Sequence, residues 1–225
     1  MHPPIFHRRF DYDRSLLPNA FLAQLEEGVT SIDEARLRSG ASIGYPGWGA
    51  IYYLALCALD PSRPATIIET GANWGCSTIV LASALRAAKC GGHVHTIEID
   101  PVNAEKAREH YRLAGVDDLI TLHLGDSIAT LPTVLRAVDD LSVVFLDGGH
   151  TFDLVKAEFD LIVGKLRPQG IVMMDNTYQI AEPGEDQRVN GFLKQLPAQH
   201  GGNIINLPFC SWFTPGLAIW QKSPF

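Results

Sequence analysis

The chain has 225 residues, 46% of them hydrophobic, and 18 Lys and Arg against 25 Asp and Glu give it a net charge of −7. That length supports one domain, or one domain with small additions, around a large core, and the acidic balance argues against a nucleic-acid partner held mainly through phosphates. Cys57, Cys76, Cys90 and Cys210 form no C-x-x-C pair, no apolar run reaches membrane-spanning length and the opening MHPPIFHRRFDYD has no signal-peptide apolar region, so a cytoplasmic chain with reduced thiols and no membrane partner is expected.

Residues 1–17 are mixed and punctuated by proline, and are expected to wrap loosely over the body or a partner subunit. Pro18 to Glu27 and Ser31 to Ser39 read as short helices, the second opened by the S-x-x-E spacing of Ser31 and Glu34. Ile43 to Trp48 is a Gly/Pro loop whose Tyr45 and Trp48 either line a pocket or pack the loop onto the core. Gly49 to Leu59 is an apolar helix stopped by Asp60-Pro61. Residues 1–64 therefore read as a helical cap and substrate-side cover, and residues 65–225 as a cofactor-binding core.

From Ala65 the pattern alternates. A strand ends at Glu69 and its helix at Lys89. Gly91-Gly92 turns into a second strand, His93 to Ile99, and Asp100-Pro101 opens a helix to Leu113. The third strand is Leu119 to Leu124, and Ser127 to Val138 is helical with a break or late start at Pro132. The fourth, Leu141 to Leu146, is a continuous apolar run, as a strand buried on both faces requires. Thr151 to Leu166 is predicted as a helix, Pro168-Gln169-Gly170 as a turn, and Ile171 to Met174 as the fifth strand. A polar loop, Asp175 to Gln187, leads to a helix ending at Leu196. Two last strands, Asn203 to Leu207 and Gly216 to Gln221, flank PFCSWFTP, whose Phe209, Trp212 and Phe213 suggest an apolar wall. Strands alternating with helices imply an α/β fold with a doubly wound, mostly parallel seven-stranded sheet and an antiparallel C-terminal edge hairpin.

Ligands in such sheets bind beyond the carboxyl ends of the strands. The first strand ends in Glu69-x-Gly71-x-x-x-Gly75-x-Ser77, a glycine turn opening a helix. Gly71 permits the tight turn, Gly75 permits backbone to lie close to a ligand, and the helix N-terminus offers free N–H groups. Glu69, Gly71, Asn73, Gly75 and Ser77 are the cofactor-side candidates here. The spacing is neither G-x-G-x-x-G nor G-x-x-x-x-G-K-[ST]. Glu98 ends the second strand, where an acid can accept hydrogen bonds from both ribose hydroxyls. Asp100 is better suited to cap the next helix. Asp126 and Ser127 follow the third strand, within reach of an adenine edge, with a helix N-cap as the alternative or additional role of Ser127. Asp147 and His150 follow the fourth, and Asp175-Asn176 the fifth. If those strands are neighbours, two carboxylates and an amide oxygen converge, which suits a hard divalent cation: Mg²⁺ first, with Mn²⁺ or Ca²⁺ as options. The alternative is that Asp147 holds the cofactor or caps a helix and Asp175 caps a loop.

These motifs resemble class I S-adenosylmethionine (SAM) methyltransferases with a Rossmann-like fold. From about Ile43 to Gln221 the chain is similar to the cation-dependent catechol and caffeoyl-CoA O-methyltransferases and to the bacterial methyltransferase family 24. The resemblance implies SAM on Glu69, Gly71, Gly75, Glu98 and Ser127, and a metal on Asp147, Asp175 and Asn176. It departs from the catechol enzymes at His150, where they place a catalytic lysine. An imidazole is a competent general base for a hydroxyl, and the change shifts the expected acceptor away from plain catechols. The expected activity is methyl transfer to a hydroxyl of a small molecule, metal-assisted, with Asp147 and His150 catalytic. The alternatives are an NAD-type oxidoreductase and a non-catalytic SAM-binding subunit. Oligomeric state stays open, a homodimer included. His93, His95 and His123 lie inside strands and are expected to be structural.

Overall fold

The structure is a computed structural model describing residues 10–40, 43–177, 188–207 and 216–224. In chain order its elements are α1 (Ala20–Leu25), α2 (Ile32–Ser39), α3 (Gly47–Ala58), β1 (Ala65–Thr70), α4 (Cys76–Ala88), β2 (Gly92–Glu98), α5 (Pro101–Leu113), β3 (Ile120–Leu124), α6 (Ser127–Arg136), β4 (Leu141–Leu146), α7 (Phe152–Ile162), β5 (Leu166–Asp175), α8 (Arg188–His200), β6 (Asn203–Leu207) and β7 (Leu217–Gln221).

Among the described residues the strands form one seven-stranded sheet in the order β3-β2-β1-β4-β5-β7-β6. The first five are mutually parallel, and β7 is antiparallel to both β5 and β6. Alternate residues of each strand point to opposite faces, so Ile67, Val94, Val143 and Phe145 meet α3, α4 and α5. Ile68, Val144, Leu146 and Val172 meet α6, α7 and α8. This is the expected doubly wound, mostly parallel sheet, with the C-terminal antiparallel pair docked through β7 and β6 at the edge. All of β4 is buried.

Local chemistry explains most boundaries. Asp100 caps α5 by accepting from Val102 N (2.7 Å) and Asn103 N (3.2 Å), with Pro101 at the first helical position. Ser31 caps α2 by accepting from Glu34 N at 3.2 Å, but Glu34 reaches back to Thr30 rather than to Ser31. Three expectations need correction. Helix α6 runs through Pro132 without a break; the buried face of Leu131, Val134 and Leu135 holds the helix to the core against the lost N–H bond and the ring's crowding of the preceding turn. Helix α7 stops at Ile162, because Leu166 pairs with Leu141 as the start of β5. The register then shifts before Val143 pairs with Ile171, and the Pro168 stretch is accommodated as a bulge within the strand rather than as a preceding turn. Helix α8 continues past Leu196 to His200.

Trp48 is fully buried in the core and Tyr45 stacks on Tyr12 at 3.8 Å, so these aromatics pack the loop. The expectations for residues 1–9 and for Phe209, Trp212 and Phe213 lie outside the described residues. Among the described residues Cys57, Cys76 and Cys90 form no disulfide. No helix among the described residues is long and apolar enough to cross a membrane.

Candidate active site

Strand order places β1 between β2 and β4, so successive connections leave β1 in opposite directions and open a crevice at its carboxyl end. A cavity of about 600 Å³ occupies that crevice. Gly71, Asn73, Ser77, Glu98, Asp126, Ser127, Asp147, His150, Asp175 and Asn176 all line it. The ends of β1 to β5, far apart in the chain, thus converge on one space.

The β1–α4 turn is built by hydrogen bonding to the neighbouring strand end. Gly71 N and Ala72 N donate to Ile97 O at 2.9 and 3.2 Å, and Asn73 N donates to Glu98 Oε2 at 2.6 Å. Asp100 N donates to Glu98 Oε1 at 2.9 Å. Each Glu98 oxygen therefore has one backbone partner and a remaining lone pair for a ligand hydroxyl. Gly71 has φ +84°, and a Cβ there would run into the Asp147 carbonyl. Gly71→Ala is therefore expected to lower stability by about 2–4 kcal/mol, read by urea denaturation.

Two of the sequence candidates are behind the wall rather than in it. Gly75 does not line the cavity; its φ is +83°, and a Cβ would collide with the Tyr111 ring of α5. Its lack of a Cβ lets α5 pack against the start of α4. Glu69 is also absent from the lining. It is fully buried, and its Oε2 accepts from Thr78 at 2.5 Å and Thr96 at 2.6 Å. Burial raises its pKa against those hydrogen bonds. It ties the start of α4 to β2 beneath the turn.

At β3, the N-cap of α6 is Asp126, which accepts from Ala129 N at 3.0 Å. Ser127 is thereby relieved of the capping role and faces the cavity wall. Ser39, Trp74, Ile97, Ile99, Gly148, Gly149 and Leu154 also line the space. Ile99 was legible beside Glu98. Ser39 was not, because nothing local in α2 signals its approach to the β1–α4 turn.

At the other end of the cavity, Leu146 pairs with Met174, so Asp147 and Asp175 leave adjacent strands side by side. Burial, and for Asp147 also the charge of Asp175, pushes both pKa values upward. Such a pair holds either a shared proton or a cation. Asn176, buried beside them with φ +57°, adds an amide oxygen. Among the described residues no three His, Cys, Asp or Glu side chains form a metal-binding cluster. The set here is two carboxylates and an amide, and these all-oxygen donors fit a hard divalent ion. His150 has its pKa lowered to about 4 by burial and by the positive charge of Arg188, so its ring is neutral near pH 7. The strand histidines pair with neighbours outside this cavity, His93 with Thr121 (2.7 Å) and His95 with His123 (3.1 Å).

A glycine turn after β1, an acid at the end of β2 and a crevice at the sheet's switch point define a cofactor-binding site of the Rossmann-like class. Residues 68–177 match the family model described as a methyltransferase domain. Catechol O-methyltransferase of Mycobacterium tuberculosis is 33% identical over 122 residues, covering 54% of this chain and 52% of that protein. Catechol O-methyltransferase of Sus scrofa is 32% identical over 122 residues, covering 52% of this chain and 63% of that protein. The match therefore spans only part of these relatives' length. Among solved structures, an O-methyltransferase from Bacillus cereus in complex with SAH superposes with a TM-score of 0.73 at 20% identity, covering 91% of both chains. A Streptomyces achromogenes O-methyltransferase involved in tomaymycin synthesis, in complex with SAM, gives 0.69 at 23% identity, covering 95% of this chain and 91% of that one.

Proposed function

We propose that the protein is a SAM-dependent O-methyltransferase that methylates a hydroxyl of a small molecule. The observation that carries this reading is the convergence of five strand ends on one cavity, with a glycine turn at β1, an acid at β2 and Asp126-Ser127 at β3, and an acid pair beside a neutral histidine at β4 and β5. The catechol O-methyltransferase relatives and the SAM- and SAH-bound neighbours support it.

In this reading the Gly71–Ser77 turn and Glu98 hold the amino-acid and ribose parts of SAM, and Asp126 and Ser127 border the adenine. Asp147, Asp175 and Asn176 hold Mg²⁺ or a similar cation, which when bound lowers the pKa of an acceptor hydroxyl. His150 takes the hydroxyl proton. The cavity aligns the acceptor oxygen with the sulfonium methyl, and this positioning supplies much of the rate. Residues 1–64 are read as a cap and substrate-side cover.

Titration calorimetry with S-adenosylhomocysteine and with NAD tests the reading. S-adenosylhomocysteine is expected to bind and NAD to give no heat; the reverse result overturns it. Glu98→Ala is expected to weaken S-adenosylhomocysteine by roughly 1–3 kcal/mol through lost charge-assisted hydrogen bonds.

A further inference from the structure

Three histidines share one face of the sheet margin, outside the cavity. His93 and His95 are two residues apart on β2, so their side chains leave the same side of the strand. Across the pair, His95 is in register with Thr121 and Ile97 with His123, which sets His123 diagonally ahead of His95 on that face. Strand β3 is the last in the sheet, and the three rings are half-buried, so ions reach them from solvent. His93 Nε2 is engaged by Thr121 Oγ1 at 2.7 Å. His95 Nδ1 and His123 Nε2 face one another at 3.1 Å, with ring centroids 5.4 Å apart.

Two neutral imidazoles facing each other in this way share a single N–H. Two nitrogens bound to one ion at the usual metal–nitrogen distance of about 2.0–2.1 Å are about 2.9 Å apart at a right angle and about 3.3 Å apart at the tetrahedral angle. The observed separation of 3.1 Å lies between these limits. An ion takes the place of the shared proton, which moves to the other nitrogen of its own ring, so both facing nitrogens coordinate without net proton loss. Burial, and then the neighbouring histidines, lowers His95 to about 4, and burial lowers His123 as well. Both rings are therefore neutral near pH 7, as ligation requires. Imidazole nitrogens favour Zn²⁺, Ni²⁺ and Cu²⁺, whereas the oxygen donors at β4 and β5 favour Mg²⁺.

We propose that His95 and His123 form a metal site separate from the acid pair: a two-nitrogen chelate for a borderline divalent transition ion, completed by water, that clips the edge strand β3 to β2. Glu98 and Leu124 are in register and end these two strands. The clip therefore lies just upstream of the strand ends that bring Glu98 and Asp126 to the cavity wall.

The test is a calorimetric titration of the full chain with Ni²⁺ in saturating Mg²⁺. Wild type is expected to bind Ni²⁺ at a site that Mg²⁺ does not displace, and to bind Cu²⁺ there more tightly. His95→Ala and His123→Ala are each expected to lower Ni²⁺ affinity at least about tenfold, because the second bond of a chelate forms intramolecularly. Asp175→Asn is expected to leave this site intact. Ni²⁺ is also expected to raise the Tm of wild type and not of the histidine variants. Thermal denaturation without metal shows whether each variant folds, and either one that does is sufficient. Unchanged Ni²⁺ affinity in a folded histidine variant, loss of the site in Asp175→Asn, or no Ni²⁺ binding to wild type would overturn the inference.

Discussion

Chelation of divalent cations is expected to abolish methyl transfer, and added Mg²⁺ to restore it. The physical basis is the junction of β4 and β5. Asp147 and Asp175 leave paired strands side by side; burial drives both pKa values up, and for Asp147 the charge of Asp175 adds to it. Two like charges in that position need a proton or a cation between them, and a divalent ion neutralises both at once while Asn176 supplies a further oxygen. Loss of the ion removes several kcal/mol of charge stabilisation, so initial rates in excess EDTA are expected to fall at least about 10³-fold. Asp175→Asn is expected to weaken Mg²⁺ binding by about tenfold or more in a calorimetric titration, since half the carboxylate charge is lost. Full turnover in excess chelator would assign the pair to proton sharing alone.

Replacement of His150 by alanine is expected to lower kcat by about 10²–10⁴-fold while leaving SAM affinity nearly unchanged. His150 lies beyond β4 after Asp147-Gly148-Gly149 and lines the cavity. It is not the cap of the helix that follows: Thr151 caps α7, accepting from Leu154 N at 3.4 Å. Burial, and then the charge of Arg188, lowers the ring's pKa from 6.5 to about 4. The sign is favourable for a base, because the ring stays neutral and able to accept a proton throughout the neutral range. At saturating Mg²⁺, the acid limb of kcat that belongs to His150 is therefore expected near pH 4 rather than near 6.5. The measurement is steady-state kinetics against pH for both proteins, with thermal denaturation as a control. A variant with normal kcat, or one defective only in stability, would make His150 structural.

Much of this was legible in the sequence because the relevant physics is local. Glycine-punctuated alternation of apolar runs and helical segments dictates a parallel sheet with helices on both faces, and in that sheet strand ends carry the chemistry. Asp100-Pro101 marks a helix start through capping alone, and the all-apolar Leu141–Leu146 marks a central strand through burial alone. The cavity-lining roles of Glu98, Asp147 and Asp175 follow from their positions at strand ends.

Tertiary structure decided what depends on partners distant in the chain. The sequence does not show that Tyr111 fills the space where a Gly75 side chain would lie. Glu69 reads as a cofactor acid until Thr78 and Thr96 are seen to hold it beneath the turn. The sequence leaves open whether Ser127 caps the helix beside its adenine-side role; the structure gives the cap to Asp126. The extent of β5 depends on Leu141, twenty-five residues before its first residue, Leu166. Glu158 is buried on α7 with no sequence signal of it, since an acid on an amphipathic helix is ordinarily solvated; only the packing of α7 against the end of β1 turns it inward. Local rules set propensity and period, whereas the environment of a side chain is set by the residues that folding brings to it, and a single turn or helix does not contain them.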